Sequence, residues 1–514
     1  MNRRPNQIPT PASTGVSMSD RRLTYTFGPL ERRGILGPVR AGQAGLIAGG
    51  GLAAIIALDA TPSATGALLA VILLATALTA AFAPLRGRSA EEWVPIVVVF
   101  ARRRLGAGRR FTSAVVTTGT LIRDVGRHGP RGDPAALAPS AVRDVRIVAA
   151  EYRGRQIGAL SERSGRRLTA VLACRVMAFS LLDREAQERR LARWGTVLSG
   201  AGGTAIRRMQ WLERTAPAQG DELARWVHDE RDPVVPLRGT PMIESYLELI
   251  SSSAQVSQEH EILLAIQVDA QRVRDRGREA VTQALLEQTE RVARGLEAAE
   301  VGVLGALSPG QLARALRTAF DPYARAELTA LDAADPERDG LSEVNAWPLG
   351  ARETWDHYQS DGALHATYWI GAWPRIDVSP MFMDSLLGHS GAVRTVAVTF
   401  EPLAADRSTR EVEAAITRDR ADRELRARFG QSETARQRQA AEATRRRESE
   451  LAAGHTEVRL SGFVTVSGRD PDDLRRACSE VLEHAARARL ELHRLYGQQA
   501  DAFAFTLPLC RGLR

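Results

Sequence analysis

Residues 41–85 read AGQAGLIAGGGLAAIIALDATPSATGALLAVILLATALTAAFAPL, and the only charged residue among them is Asp59. As a helix rising ~1.5 Å per residue, the uncharged run 41–58 reaches about 27 Å, close to the ~30 Å hydrocarbon thickness of a bilayer. Asp59 and Pro62 interrupt it, and a second uncharged run, 60–85, carries Leu68, Leu69, Val71, Ile72, Leu74 and Leu78. The pair predicts a transmembrane helical hairpin with spans at about 41–58 and 61–85. Gly49, Gly50 and Gly51 would weaken a soluble helix and suit close helix contact in lipid. Arginines stand outside both open ends: Arg32, Arg33 and Arg40 before, Arg86, Arg88, Arg102, Arg103 and Arg104 after. The positive-inside rule then puts both termini and the main body in the cytosol, at the cytoplasmic (inner) membrane. The apolar stretch 93–101 is too short to span. Set between Glu91, Glu92 and Arg102–Arg104, it reads as an interfacial elbow over 91–104 whose arginines fix topology at the lipid bilayer surface.

Before the hairpin, residues 1–25 are rich in Pro, Ser, Thr and Arg without apolar period, which predicts a disordered tail ahead of a membrane unit at 26–115. After it, about four hundred residues alternate strand-like and helix-like segments. The expected fold is α+β: an N-terminal transmembrane helical hairpin, then a cytosolic two-lobed α+β body with mainly antiparallel sheets. In lobe 1, 116–340, the runs 145–151, 156–162 and 168–176 read as a meander turning at Arg153-Gly154 and Ser164-Gly165. Asp183 caps a helix ending at Gly200, strands follow at 205–213 and 261–269, and a long helix at 272–296. Lobe 2, 341–514, repeats that grammar with strands at 363–373, 392–400 and 457–466. Its clearest helix has Asp470 as N-cap, Pro471 at the first position, Leu474, Cys478, Val481 and Ala485 at helical spacing, and Gly497 past the end.

Composition removes several chemistries. All 69 basic residues counted as Lys or Arg are arginine, against 61 acids, for a net charge of +8. Without lysine, neither a phosphate loop of the G-x-x-x-x-G-K-[ST] type nor a Schiff base can be built. Cys174, Cys478 and Cys510 show neither a disulfide framework nor metal spacing, and nine histidines include no H-E-x-x-H. The Gly388–His389–Ser390–Gly391 run precedes a strand, whereas a phosphate loop follows one, so it reads as a turn. No catalytic, cofactor-binding or metal-ligating set is expected, and the chain reads as no enzyme. Residues 407–450 hold twelve arginines against nine acids, with Val412, Ile416, Leu425 and Phe429 as the large apolar residues. Ser408, with Glu411 as capping-box partner, opens a solvated helical arm there, and those four apolar residues are candidate partner contacts. The near balance of sign disfavours a grip on nucleic acid, which remains an alternative partner.

Two groups of motifs carry a resemblance. Tyr25 to Gly34 (YTFGPLERRG), the hairpin, and Glu91-Glu92-Trp93-Val94-Pro95 resemble the two-helix inner-membrane subunit of conjugative type IV secretion, the PrgI-like family. Gly462-Phe463-Val464-Thr465-Val466, the Asp472-Asp473-Leu474 helix start and Ala502 to Pro508 (AFAFTLP) resemble the region that precedes the motor of the secretion ATPase family. That family's ATPase domain follows such a Leu-Pro, while this sequence ends at Arg514. The resemblance therefore implies a membrane-anchored structural subunit of a type IV secretion or conjugation-like apparatus. Such a subunit scaffolds a separate ATPase and other membrane subunits, as a homo-oligomer and without a cofactor. A type VII secretion membrane component, which also pairs two N-terminal helices with a cytosolic domain, is the alternative. A membrane-tethered nucleic-acid-binding protein is another. The arginine-rich, lysine-free composition resembles that of an actinobacterial protein.

Overall fold

The computed structural model describes residues 41–82, 90–105, 110–113, 138–175, 179–217, 258–325, 341–388, 391–428, 435–452 and 456–512, with scattered single positions added or missing. The tail, the 25–34 motif, Arg32, Arg33, Arg40, Arg86, Arg88 and Phe429 lie outside the described residues.

Helices α1 (Ala41–Ala60) and α2 (Ala64–Phe82) form the expected hairpin, turning through Thr61 to Ser63. Both are long and apolar enough to cross a membrane, with mean hydropathy 1.5 and 2.2 over their spans. Their large side chains, among them Leu52, Ile55, Leu68, Val71 and Ile72, point outward, so the apolar surface faces the surroundings rather than a protein core. Small residues make the contact between them. A Cβ at Gly50 would overlap the Ala77 methyl group, whereas Gly49 and Gly51 have open space, so one of the three glycines sets the approach. Gln43 Nε2 donates to the Ala81 carbonyl, 2.9 Å, at the open end. Gly50→Leu should therefore prise the helices apart and lower the yield of membrane-inserted protein severalfold, while Gly49→Leu leaves it near wild type. A carbonate-washed membrane fraction quantified by immunoblot checks both.

The body is built on one antiparallel sheet. Strands β2 (Arg146–Tyr152), β3 (Arg155–Glu162) and β4 (Arg167–Arg175) form the meander. Its turns place Arg153 and Gly154, then Arg163, Ser164 and Gly165, at positive φ. Next come α4 (Arg184–Gly200), β5 (Ile206–Pro217), β6 (Gln258–Asp269), α5 (Arg278–Ala298), β7 (Gly302–Ala306) and α6 (Pro309–Phe320). The second half contains β8 (Gly350–Glu353), β9 (Tyr358–Ser360), β10 (Ala363–Ala372), α7 (Asp384–Leu387), β11 (Val393–Pro402), α8 (Ala405–Arg428), α9 (Ala435–Ala452), β12 (Val458–Gly468), α10 (Pro471–Arg487), β13 (Glu491–Arg494) and α11 (Gln499–Phe503).

From outer edge to centre the first half runs β2-β3-β4-β6-β5 and the second β8-β9-β10-β12-β11. β7 pairs with β4 just as β13 pairs with β10, and the helices follow corresponding strands. β5 and β11 join the halves antiparallel, with Leu212 opposite Ala397, which is the relation a local two-fold axis imposes. The two lobes read from the sequence share one continuous sheet, each supplying half of its strands. A third preceding helix, α3 (Ala90–Leu105), and β1 (Arg110–Thr112) break the repeat, β1 pairing with the outer edge of β8.

Helices cover both faces. α5 packs Val281, Leu285, Val292 and Leu296 over β4 and β6, and α10 packs Leu474, Cys478, Val481 and Ala485 over β10 and β12. On the opposite face, Leu312, Leu316 and Phe320 of α6 join Phe503 of α11, Leu507 and Leu509 in one core. The face under α5 and α10 is apolar, while the opposite face sets buried polar side chains such as Gln210, Gln267, Thr399 and Thr465 beside Leu212, Leu263 and Ala397.

Several boundaries moved for local reasons. The helix expected from 272 begins at Arg278, because the Asp269 carboxylate accepts from Gln271 N, 3.0 Å, and holds a short 3₁₀ turn first. Asp183 caps Ala186 N at 2.8 Å and Asp470 caps Asp472 and Asp473 at 2.9 Å, both as read. Ser408 is no cap, since α8 starts three residues earlier and its hydroxyl donates to Ala404 O. The single arm is two helices, α8 and α9, packed on each other. Gly497 does not close α10, which ends at Arg487. It turns the chain at φ +70° between β13 and α11, where a Cβ would meet Trp355 and Ile96.

Candidate functional site

The segment read as an interfacial elbow is a helix docked on the body. Along α3, Trp93, Ile96, Phe100 and Arg103 recur at helical spacing and turn inward. Trp93 stacks on Trp355 with ring centroids 5.9 Å apart, Phe100 meets Trp355 edge-on at 5.0 Å, and Tyr496 lies 6.4 Å from Trp93. Gly497 permits this packing, and its N–H donates to Trp355 O at 2.7 Å. One turn on, Arg103 reaches Asp501 at 2.9 Å and Glu353 at 3.4 Å. Glu353 is 3 % exposed and also accepts from Ala500 N, 3.0 Å. Burial raises its carboxyl above the usual range, against the pull of the Ala500 amide and the Arg103 guanidinium. Of the three arginines read as topology determinants, Arg103 is thus a docking residue, while Arg102 and Arg104 stay exposed. Sequence reading missed the aromatic partners, which lie hundreds of residues apart.

The second polar feature is the C-terminal segment 504–512, which crosses the centre of the sheet. Gln210 donates to Phe505 O and accepts from Cys510 N, both at 2.7 Å, and Gln267 donates to Leu509 O at 3.1 Å. Thr399 donates to Arg511 O, 3.1 Å, and Arg511 Nε reaches the buried Glu162, 2.6 Å. Leu507, Leu509 and Cys510 are fully buried. The stretch resembling a pre-motor segment is therefore core.

Nothing in the described residues forms a catalytic set. His365 Nε2 lies 2.9 Å from Ser360 Oγ and its Nδ1 2.8 Å from Ser467, but all three are sealed in the core and Phe320 O closes the network. A nucleophile needs access and an oriented base, and this group has neither access nor an acid behind the imidazole. Burial pushes the imidazole down to about 4. The folded state therefore holds His365 neutral where an unfolded chain binds a proton, so stability present above the ordinary histidine value, ~6.5, drains away as pH falls to about 4. The loss is on the order of 2–4 kcal/mol. A His365→Gln protein should show a shallower fall in melting temperature across that window, measured by pH-resolved thermal denaturation. Burial likewise raises the thiols of Cys174, to about 11, and Cys478. No group of three or more metal-ligating side chains occurs among the described residues. A cleft of about 670 Å³ between α10 and β13 is lined by Asp356, His357, Tyr368, Cys478, Arg494 and Tyr496. Arg494 Nε is spent on Asp356 O, 2.8 Å.

The arm places its residues differently from the reading. Val412 is buried with Ala415 and Ser408 at the base, Ile416 is half-buried, and Leu425 lies further along α8. Glu411 is held below the usual carboxylate range: burial opposes ionisation, and hydrogen bonds from Arg407 and Arg459 outweigh it. Val412 thus seats the arm rather than meeting a partner, and the exposed surface of α8 and α9 carries charges such as Arg418, Arg420 and Arg423.

Residues 256–370 match the family model described as type VII ESX secretion system translocon, EccE. The match starts just before β6 and ends within β10. It crosses from the first half of the sheet to the second and takes in Glu353 and Trp355 of the helix dock. The hairpin, the arm and the C-terminal segment lie outside it. No curated protein matches the chain.

Proposed function

We propose that this chain is a membrane-anchored, non-catalytic component of a type VII secretion translocon, its hairpin in the cytoplasmic membrane with both termini inside. The observation that carries this reading is the family match over 256–370, which joins the two halves of the sheet behind two membrane-length apolar helices. The match favours type VII over the type IV reading. The type IV resemblance rests on residues outside the matched stretch, and its Ala502 to Pro508 segment is part of the core. The body is a platform for other membrane subunits and for a separate ATPase, with further copies of the chain in the same assembly. The arm's exposed charges offer the ATPase contact. Its mixed sign gives nucleic acid no clustered basic face.

Affinity purification through an N-terminal tag, from solubilised membranes of cells that make the chain, tests this. Other membrane subunits and an ATPase of an ESX apparatus should co-purify. The chain purified alone should hydrolyse no ATP above a detergent blank, since no lysine is present to stabilise the transferred phosphate. Replacing Arg418, Arg420 and Arg423 with glutamate should deplete the ATPase and leave the chain in the membrane. Recovery with type IV subunits instead, or turnover by the chain alone, overturns the reading.

A further inference from the structure

Helix α3 has two faces, and only one is covered. Trp93, Ile96, Phe100 and Arg103 hold the body. On the other side Val94, Val97, Val98 and Leu105 form an i, i+3, i+4, i+11 stripe exposed at 55 %, 47 %, 58 % and 91 %. The helix is 16 residues long, about 24 Å at ~1.5 Å per residue, and three arginines end it, so it cannot span. Arg102 and Arg104 are exposed on the two flanks of the stripe, and the helix's only acids, Glu91 and Glu92, sit in its first turn. The chain reaches α3 seven residues after α2 ends, and α3 touches both hairpin helices.

We propose that α3 lies along the membrane surface, with Val94, Val97, Val98 and Leu105 in the boundary between headgroups and acyl chains and Arg102 and Arg104 on anionic headgroups. The helix thereby holds the second half of the sheet against the bilayer and leaves the first half pointing away. This rests on the hairpin crossing the membrane. Three observations select lipid over a protein partner. The stripe is continuous in sequence with two apolar helices. It carries only aliphatic residues, whereas the core of a protein interface favours aromatics and methionine, and the aromatics of α3 all turn to the body instead. Arginines flanking an apolar stripe are the arrangement of a helix in the plane of an anionic interface.

The test uses the full chain with Cys174→Ala, reconstituted in vesicles of neutral lipid with or without anionic phosphatidylglycerol. A fluorophore goes on Val98→Cys, Ile72→Cys or Gln283→Cys, and lipids carry quenchers at graded depths. Position 98 should be quenched most by the shallow quencher, position 72 by the deep one, and position 283, on the first half, by neither. Quenching at 98 should be at least about twofold stronger with anionic lipid, and Arg102→Gln with Arg104→Gln should abolish that difference. Quenching at 72 with none at 98 overturns the proposal and leaves the anchor standing, whereas no quenching at 72 removes the anchor itself. Equal quenching at 98 in neutral and anionic vesicles overturns the headgroup contact. Quenching at 283 overturns the orientation of the two halves.

Discussion

A chain ending at Ala504 will not fold its body. The missing residues bury Leu507, Leu509 and Cys510 at the centre of the sheet, each side chain worth ~1.5–3 kcal/mol for the larger apolar ones. Their carbonyls accept from Gln210, Gln267, Arg208 and Thr399; Gln267 and Arg208 keep other acceptors in Glu162, Thr169 and Glu401, while an unpaired buried donor such as Gln210 costs ~1–3 kcal/mol. Glu162, buried at 3 % exposure, would lose the Arg511 guanidinium as well. Together these are of the same order as the ~5–15 kcal/mol by which a typical domain is stable. The truncated protein should reach the membrane yet show no cooperative melting transition by circular dichroism, and should be digested by a protease that leaves the full chain intact. A native transition in the truncation would show that the segment merely decorates the sheet.

The second large effect is expected at the helix dock. Trp355→Ala removes the ring that Trp93, Phe100 and Tyr496 all meet, at about 2–4 kcal/mol for a half-buried tryptophan. Arg103→Glu sets a third carboxylate beside Glu353 and Asp501 and leaves the buried Glu353 without its cation, a change of ~3–5 kcal/mol in fully buried pairs and less here, since Arg103 is partly exposed. Either change should free α3 without unfolding the sheet, because no strand of the repeat depends on it. Limited trypsin digestion should then cut rapidly at Arg102 to Arg104 while the body's melting transition persists. Adding Glu353→Gln to Arg103→Glu should restore part of the protection by removing one of the repelling charges. Unchanged cleavage in both single variants would contradict the dock.

What the sequence disclosed follows the range of its interactions. Uncharged runs, the Asp183 and Asp470 caps and the Arg153-Gly154 turn are local, and each was readable because neighbouring residues decide it. The duplication was legible as repeated grammar, but not as one sheet, because the β5–β11 pairing joins residues nearly two hundred positions apart. α6 was missed although Ser308, Pro309 and Gln311 spell a capping box. β7, β9 and β13 are too short for a period to show. The dock could not be read at all: Trp93, Trp355 and Tyr496 meet only in the fold. The composition of the arm gives its solvated character, yet Val412 reads as a candidate partner contact because a sparse apolar position on a polar helix looks the same whether it faces a partner or its own base.

The account depends above all on the hairpin crossing the membrane with the body inside. Cysteine labelling in intact cells measures this directly, and the chain's own thiols interfere little, because Cys478 and Cys510 are buried and burial raises the Cys174 thiol to about 11. Asp59→Cys, exposed in the last turn of α1 beside the connection to α2, should react with a membrane-impermeant maleimide added to whole cells, and Thr417→Cys, exposed on the arm, only after lysis. Labelling of Thr417→Cys in intact cells, or of Asp59→Cys only after lysis, would contradict it.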